Sequence, residues 1–190
     1  MFFRIFREWL AETYLKDFDS LYEFGCGSGF NLGALALKFP DKNLMGFDWA
    51  EPAVDILKLM AEKRGFKLNG KRFDFFNPDY SVKVPSNTAA LTFCAFEQIG
   101  PRHDAMLEYI LKQKPAMVVQ MEPTLDYYDA ANPVDDLAIR YHTARKYLMG
   151  YLPALKKLAD EKRIEIIKTK RIGFGSLYHE CYSLHVWRPL

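Results

Sequence analysis

Apolar and polar residues alternate along this chain in two rhythms, and the changes of rhythm divide it into elements. Phe2, Phe6, Trp9, Leu10 and Thr13 or Tyr14 recur at helical spacing among Arg4, Arg7, Glu8 and Glu12, which predicts an amphipathic helix within residues 1–17. Residues 17–20 are a turn. Residues 21–24 then form a first strand, and helix-forming residues run from Phe30 to Phe39, where Pro40-Asp41 stops them. Residues 43–47 make a second strand. A helix opens at Glu51-Pro52, presents Val54, Ile56, Leu57, Leu59 and Met60 on its apolar face, and ends at Arg64-Gly65. Residues 71–75 are a short third strand, followed by loop through residues 77–80 and 85–87. The fourth strand, 89–93, is apolar on both faces, as a central parallel strand is. Residues 102–114 read as helix and 115–121 as a fifth strand. The stretch 135–162 is mostly helical, with Gly150 and Pro153 dividing it. Residues 163–172 and 178–187 are β-rich and joined by Gly173-Phe174-Gly175-Ser176, a turn signal.

Five β/α units and a terminal hairpin predict an α/β fold, a doubly wound and mostly parallel sheet with one antiparallel strand. At 190 residues and 49% hydrophobic content the chain is long enough for one domain, residues 1–190, with its own core. Residues 123–160 add a helical insertion after the fifth strand. The formal charge of +2 argues against a dedicated nucleic-acid binder. Lys162, Arg163, Lys168, Lys170 and Arg171 alternate with isoleucines and read as the wet face of an edge strand. Three cysteines without a C-x-x-C pair fit a reducing, cytoplasmic setting. The N-terminal segment has too many charges for a secretory or membrane-spanning core, so stable membrane insertion is not expected. It reads as packing against the sheet, with a membrane contact or a lid as the alternatives. Its abrupt start leaves open that the chain is a piece of a longer protein. No metal-ligand spacing is visible among the four histidines.

One stretch breaks both rhythms. Glu23-Phe24-Gly25-Cys26-Gly27-Ser28-Gly29 stands between the first strand and its helix, with glycine at alternate positions. Glycine permits a tight turn and lets a ligand lie on bare backbone, because no Cβ intervenes. The amides of the turn and the helix start are then free donors. The spacing excludes the dinucleotide fingerprint G-x-G-x-x-G, since its last position is Phe30 counted from Gly25 and Leu32 counted from Gly27. An acid before the first glycine repels phosphate and suits a cationic ligand. Asp48 ends the second strand, where such folds bind a ribose, and Asp74 ends the third. Cys26 reads either as a nucleophile or as the small residue that fits the loop.

With these residues the chain resembles the class I S-adenosylmethionine-dependent methyltransferases over most of its length. The resemblance implies a sheet order of 3-2-1-4-5-7-6 with strand 7 reversed, and S-adenosyl-L-methionine as cofactor at the carboxyl ends of the parallel strands. It implies that the loop holding Glu23, Phe24, Gly25, Cys26, Gly27 and Gly29 takes the methionine end. Asp48 would bind the ribose hydroxyls and Asp74 the adenine amino group, with the backbone of Phe75 nearby; Trp49 and Cys94 complete the implied cofactor set. In many relatives a histidine follows the acid after strand four. Gln98 stands there here, after Glu97, and the plainer reading of both residues is that they cap the following helix or hold the loop.

Methyl transfer needs a nucleophile held in line with the methyl group, and a base only when the acceptor must lose a proton. Candidates for that base are Glu122 at the mouth of the fifth strand, His142 in the insertion, three residues from Arg145, and His179 beside Glu180. Each has a plain alternative: a loop acid paired with an arginine, a solvent-facing helix histidine, an ordinary hairpin histidine. Tyr141 neighbours Arg145 at helical spacing. Aspartates and tyrosines from Asp126 to Asp129 belong to the same rim. The expected acceptor is a small molecule methylated at oxygen or nitrogen, with aromatic and polar side chains around it. Two rivals are an aminopropyltransferase, against which Cys94-Ala95-Phe96 speaks because an acid is expected there, and a non-enzymatic cofactor-binding module of a larger biosynthetic protein.

Overall fold

The computed structural model describes residues 2–173 and 182–190. Its seven strands are β1 (Ser20–Phe24), β2 (Asn43–Asp48), β3 (Leu68–Arg72), β4 (Thr88–Phe93), β5 (Met117–Glu122), β6 (Ile164–Arg171) and β7 (Ser183–Pro189). They form one sheet in the order β3-β2-β1-β4-β5-β7-β6. β1 to β5 pair parallel, and β7 runs antiparallel to β5 and to β6. Both the order and the single reversal are the ones expected. The helices are α1 (Phe2–Leu10), α2 (Phe30–Lys38), α3 (Glu51–Arg64), α4 (Asp104–Gln113), α5 (Pro133–Arg145) and α6 (Tyr151–Asp160).

The strict alternation of side chains along each strand divides the core between the two faces of the sheet. Leu21, Leu44, Leu91 and Val119 meet Leu10, Leu32, Leu35 and Leu57, so α1, α2 and α3 cover one face. Phe24, Phe47 and Trp187 meet Leu107, Ile110, Leu155 and Leu158, which places α4 and α6 on the other. There Phe24 and Phe47 stack with centroids 4.7 Å apart, and Phe73 and Tyr109 close edge-on around them. α1 continues through one π-helical turn, Ala11–Leu15, and buries Leu10, Ala11 and Leu15. Lys38 of α2 clamps it by ion pairs to Glu8 and Glu12. Packing is therefore the first helix's visible role.

Two boundaries differ in an instructive way from the sequence reading. β3 runs earlier than residues 71–75, because Leu68-Asn69-Gly70 pair with Leu44-Met45-Gly46; an edge strand this polar carries no apolar signal. The insertion breaks at left-handed Lys146 and Gly150, whereas Pro153 sits in the first turn of α6, where its missing N–H is no loss. β6 is the edge expected, and part of its charge is matched by Arg163 on Glu108 and by Glu165 on Arg188 of β7.

α3 buries Ala53, Val54 and Leu57, and Leu57 reaches furthest among the glycines of the sheet and loop. Leu57 is fully buried and occupies the space that a Cβ would need at Gly29, at Gly46 of β2 and at Gly70 of β3. Bare backbone on three sides cannot relax into a vacated space as side chains do. Leu57→Ala is therefore expected at the upper end of the range of about 2–5 kcal/mol for such truncations, read as a lowered urea midpoint. A loss under about 1 kcal/mol would show that the wedge is loose.

Candidate active site

β1 ends at the carboxyl edge of the sheet in a loop whose three glycines are all left-handed: φ is 76° at Gly25, 51° at Gly27 and 71° at Gly29. The amides of Gly25 and Cys26 both donate to the Phe47 carbonyl, at 2.7 and 3.0 Å, and tie the loop to β2. A Cβ at Gly25 would collide with Ala95, whereas at Gly27 it would meet nothing. That open side faces a cavity of about 690 Å³ lined by Gly25, Gly27, Asp48, Trp49, Asp74 and Phe75, with Ala95, Gln98 and Ile99 across from them.

Three acids attend this loop and cavity. Asp48 is almost buried, and its carboxylate accepts from the Gly27 amide at 2.8 Å and the Ala50 amide at 3.0 Å. Asp74 is exposed at the far end; the Asn77 side chain and the Phe76 amide donate to it and hold its carboxyl below the usual range. Glu23 is 1% exposed behind the loop. One of its oxygens accepts from Asn31 Nδ2 at 2.8 Å, and the other has no hydrogen-bond partner among the described residues. Burial pushes this carboxyl up to about 8. Trp49 is largely exposed at the rim, its carbonyl held by Arg72 Nε at 3.1 Å.

Not every loop residue reaches the cavity. The Phe24 ring lies in the aromatic core, and Cys26 is buried, its sulfur where a Cβ on Gly46 would stand, its thiol pushed up by burial. Fit, not nucleophilic reactivity, explains that cysteine. Gly29 caps α2, and left-handed Cys94 (φ 50°) does not line the cavity, its amide donating to the Met121 carbonyl at 2.8 Å.

The acceptor-side candidates are placed differently from expectation. Glu122 is fully buried and pairs with no arginine among the described residues; it accepts from the Ala95 and Glu97 amides, at 3.3 and 3.0 Å, and shapes the turn after β4. Burial raises its carboxyl to about 7. Glu97 is raised to about 8, first by burial and then by Glu122. His142 does not face solvent, whereas Arg145 is exposed: the His142 ring is fully buried, with the rings of Tyr128, Tyr141 and Tyr147 at 5.3, 6.0 and 5.6 Å. Arg145 instead stacks on Tyr141 at 5.5 Å. The rim aspartates fasten the insertion: Asp126 accepts from the Gly150 and Leu152 amides, and Asp129 from Ala131. Asp135 takes both guanidinium nitrogens of Arg171, at 2.8 and 2.6 Å, anchoring α5 to β6. His179, with Tyr178 and Glu180, lies outside the described residues.

No family model matches the chain, and no curated protein matches it in sequence. Solved structures match over nearly all of it. The methyltransferase domain of bacterial CtHen1-CN superposes with a TM-score of 0.69 at 16% identity, covering 96% of each chain. The chain has the class I methyltransferase fold. The plantazolicin methyltransferase BpumL, solved with SAH, gives 0.63 at 18% identity over 97% of this chain and 80% of its own. The small RNA methyltransferase HEN1 gives 0.68 at 15% identity over 98% of this chain and 25% of its own.

Within this methyltransferase fold, Arg7, Asn31 and the place of Ala95 in the cavity wall escaped the sequence reading. Asn31 faces Glu23 from eight residues away across a loop, and no periodicity announces such a pair. Among the described residues no group of His, Cys, Asp and Glu is arranged to hold a metal, and no helix is long and apolar enough to cross a membrane.

The raised glutamates fix a pH dependence. Folded chain keeps their protons where unfolded chain has lost them, so folding takes up protons and stability falls as pH rises towards about 8. Buried His185, lowered to about 4 by desolvation, and His103, also lowered, act below the ordinary value of 6.5 and leave the window from 6.5 to about 8 to the acids. The melting temperature is expected to fall across that window, and Glu23→Gln to reduce the slope. A melting temperature that rises there contradicts the assignment.

Proposed function

We propose that the chain is an S-adenosylmethionine-dependent methyltransferase that transfers a methyl group to oxygen or nitrogen of a small-molecule acceptor. One observation carries the cofactor reading: a buried carboxyl oxygen on Glu23 without a donor among the described residues, behind a bare-backbone loop that opens on a cavity flanked by Asp48 and Asp74. The residues fit the group, since a cation supplies what Glu23 lacks, Asp48 keeps lone pairs for a diol, and Asp74 is held ionised for an amino group. When bound, S-adenosylmethionine supplies a methyl group activated by positive sulfur.

The chain's own part is placement and exclusion of water. Glu122 holds the Ala95–Glu97 backbone against the cavity, acting as a positioning residue. Glu97, beside the cavity-lining Gln98 and within electrostatic reach of Tyr147, is the candidate that takes a proton from an acceptor hydroxyl or ammonium. His142 braces the aromatic wall of the insertion, and His179 is kept from the sequence as the second candidate base. A small acceptor fits a net charge of +2 and a β6 edge with part of its basic charge matched by acids. HEN1 and BpumL show by their names that this fold serves small RNA and plantazolicin alike, so acceptor class rests on this chain's own surface.

The test is release of S-adenosylhomocysteine from a panel of hydroxyl, amine and phenol acceptors, with small RNA alongside. Turnover is expected with the small acceptors; turnover with RNA alone overturns that class, and binding without turnover on any acceptor favours a cofactor-binding module. With the true acceptor, Glu97→Gln is expected to lower kcat by about 100-fold or more and to remove a rise of rate with pH through about 8. His142→Asn and His179→Asn, made separately, are expected to lower it less. A Glu97→Gln variant with unchanged kcat and pH profile ends the assignment of the base.

A further inference from the structure

β3 and β4 are not neighbours in the sheet, because β2 and β1 lie between them. At the usual strand spacing their carboxyl ends stand about 14 Å apart. The cavity residues Gly25, Gly27, Asp48 and Trp49 occupy that interval. The loop after β3 nevertheless meets the segment after β4. Phe75 packs on Phe96 with ring centroids 5.7 Å apart, and the Arg102 guanidinium lies 3.9 Å from the centre of the Phe76 ring. Among the described residues no hydrogen bond or ion pair joins residues 74–80 to residues 95–102, so ring contacts do the tying.

These two contacts are unequal. Phe96 is fully buried, and with Phe75 it belongs to the packed core. Phe76 is 39% exposed and lines the cavity, so it stands at the mouth. Arg102 is exposed, does not line the cavity, and makes no side-chain hydrogen bond or ion pair among the described residues. Its backbone is fixed from behind. Gly100 has φ 61°, a Cβ there would stand 2.7 Å from the Lys146 carbonyl oxygen, and the Arg102 N–H donates to the Ile99 carbonyl at 3.2 Å. A fixed post thus carries one cation onto one ring. At an exposed site such a contact is worth only about two- to fivefold in an equilibrium constant. That weakness suits a contact that has to open.

We propose that Arg102 and Phe76 form a clasp across the mouth of the cavity, opening for the nucleoside cofactor to enter or leave and closing with it in place. The proposal rests on the methyltransferase reading and adds a step to it: Asp48 and Asp74 bear on what is held, the clasp on how fast it exchanges. Arg102 acts only through the Phe76 ring and is a positioning residue. A contact that must break on the way in and on the way out slows both passages by the same factor.

Stopped-flow measurement of S-adenosylhomocysteine binding to and leaving the full chain tests this. Arg102→Ala is expected to raise the association and dissociation rate constants together by about two- to fivefold and to leave Kd within about twofold. Arg102→Lys keeps a cation over the ring and is expected to stay near wild type. Arg102→Ala is expected to add nothing on top of Phe76→Leu, because both remove the same contact. Unchanged rates in Arg102→Ala, or Arg102→Lys as fast as Arg102→Ala, reduce Arg102 to a surface residue and end the proposal. A dissociation rate that rises alone, with Kd weakened to match, makes Phe76 a wall and not a gate, and ends it too. Neither result touches the methyltransferase reading, whereas a wild-type chain that binds no S-adenosylhomocysteine overturns that reading and the clasp with it. Should Arg102→Ala fail to fold, Phe76→Leu alone reads the same two rates.

Discussion

Carboxyl groups withdrawn from water at the carboxyl edge of the sheet are the constraint around which this structure is arranged. Glu23, Glu97 and Glu122 are raised well above the ordinary carboxylate range by burial, and Glu23 also feels Asp48 and Glu122. Such groups are tolerated only when donors reach them or a cation arrives. The chain supplies amides to Glu122, an asparagine to half of Glu23, and a distant guanidinium. What is left over among the described residues is one Glu23 oxygen without a hydrogen-bond partner, directly behind the glycine loop.

Packing keeps that arrangement in register. Phe47 does two things at once: its carbonyl receives both amides that start the loop, and its ring stacks on Phe24. Leu57 presses α3 against bare backbone in the loop, in β2 and in β3. The glycines of the loop therefore answer different demands. Gly25 makes room for Ala95 and Gly29 for Leu57, while Gly27 needs only its left-handed backbone and leaves its open side to the cavity.

The insertion after β5 is fastened by acids that at first reading look like chemistry. Asp126 caps α6, Asp135 grips Arg171 of β6, and Thr124 bridges the Glu122 carbonyl to His185. These bonds press Tyr128, Tyr141 and Tyr147 around His142 into a rigid aromatic wall. Neighbours of similar fold carry names that point to different acceptors, since one fold can carry different sites.

Local pattern determined a large part of this protein. Alternation and helical spacing placed nearly every element, and the E-x-G-x-G-x-G run with Asp48 and Asp74 marked the side of the sheet where the cavity lies, because strand ends and tight turns are written in neighbouring residues. Polar β3 was displaced, since pairing with Leu44-Met45-Gly46 and not its own composition makes it a strand. Roles that depend on what lies across the fold were settled by tertiary structure alone. Glu122 became a buried brace, His142 an enclosed ring, and Arg7 a neighbour of Asn31 and Glu23, because burial and partnership arise between segments far apart in sequence. An acid's letter is the same whether it faces water, amides or a ligand; only the surroundings assembled by folding decide which.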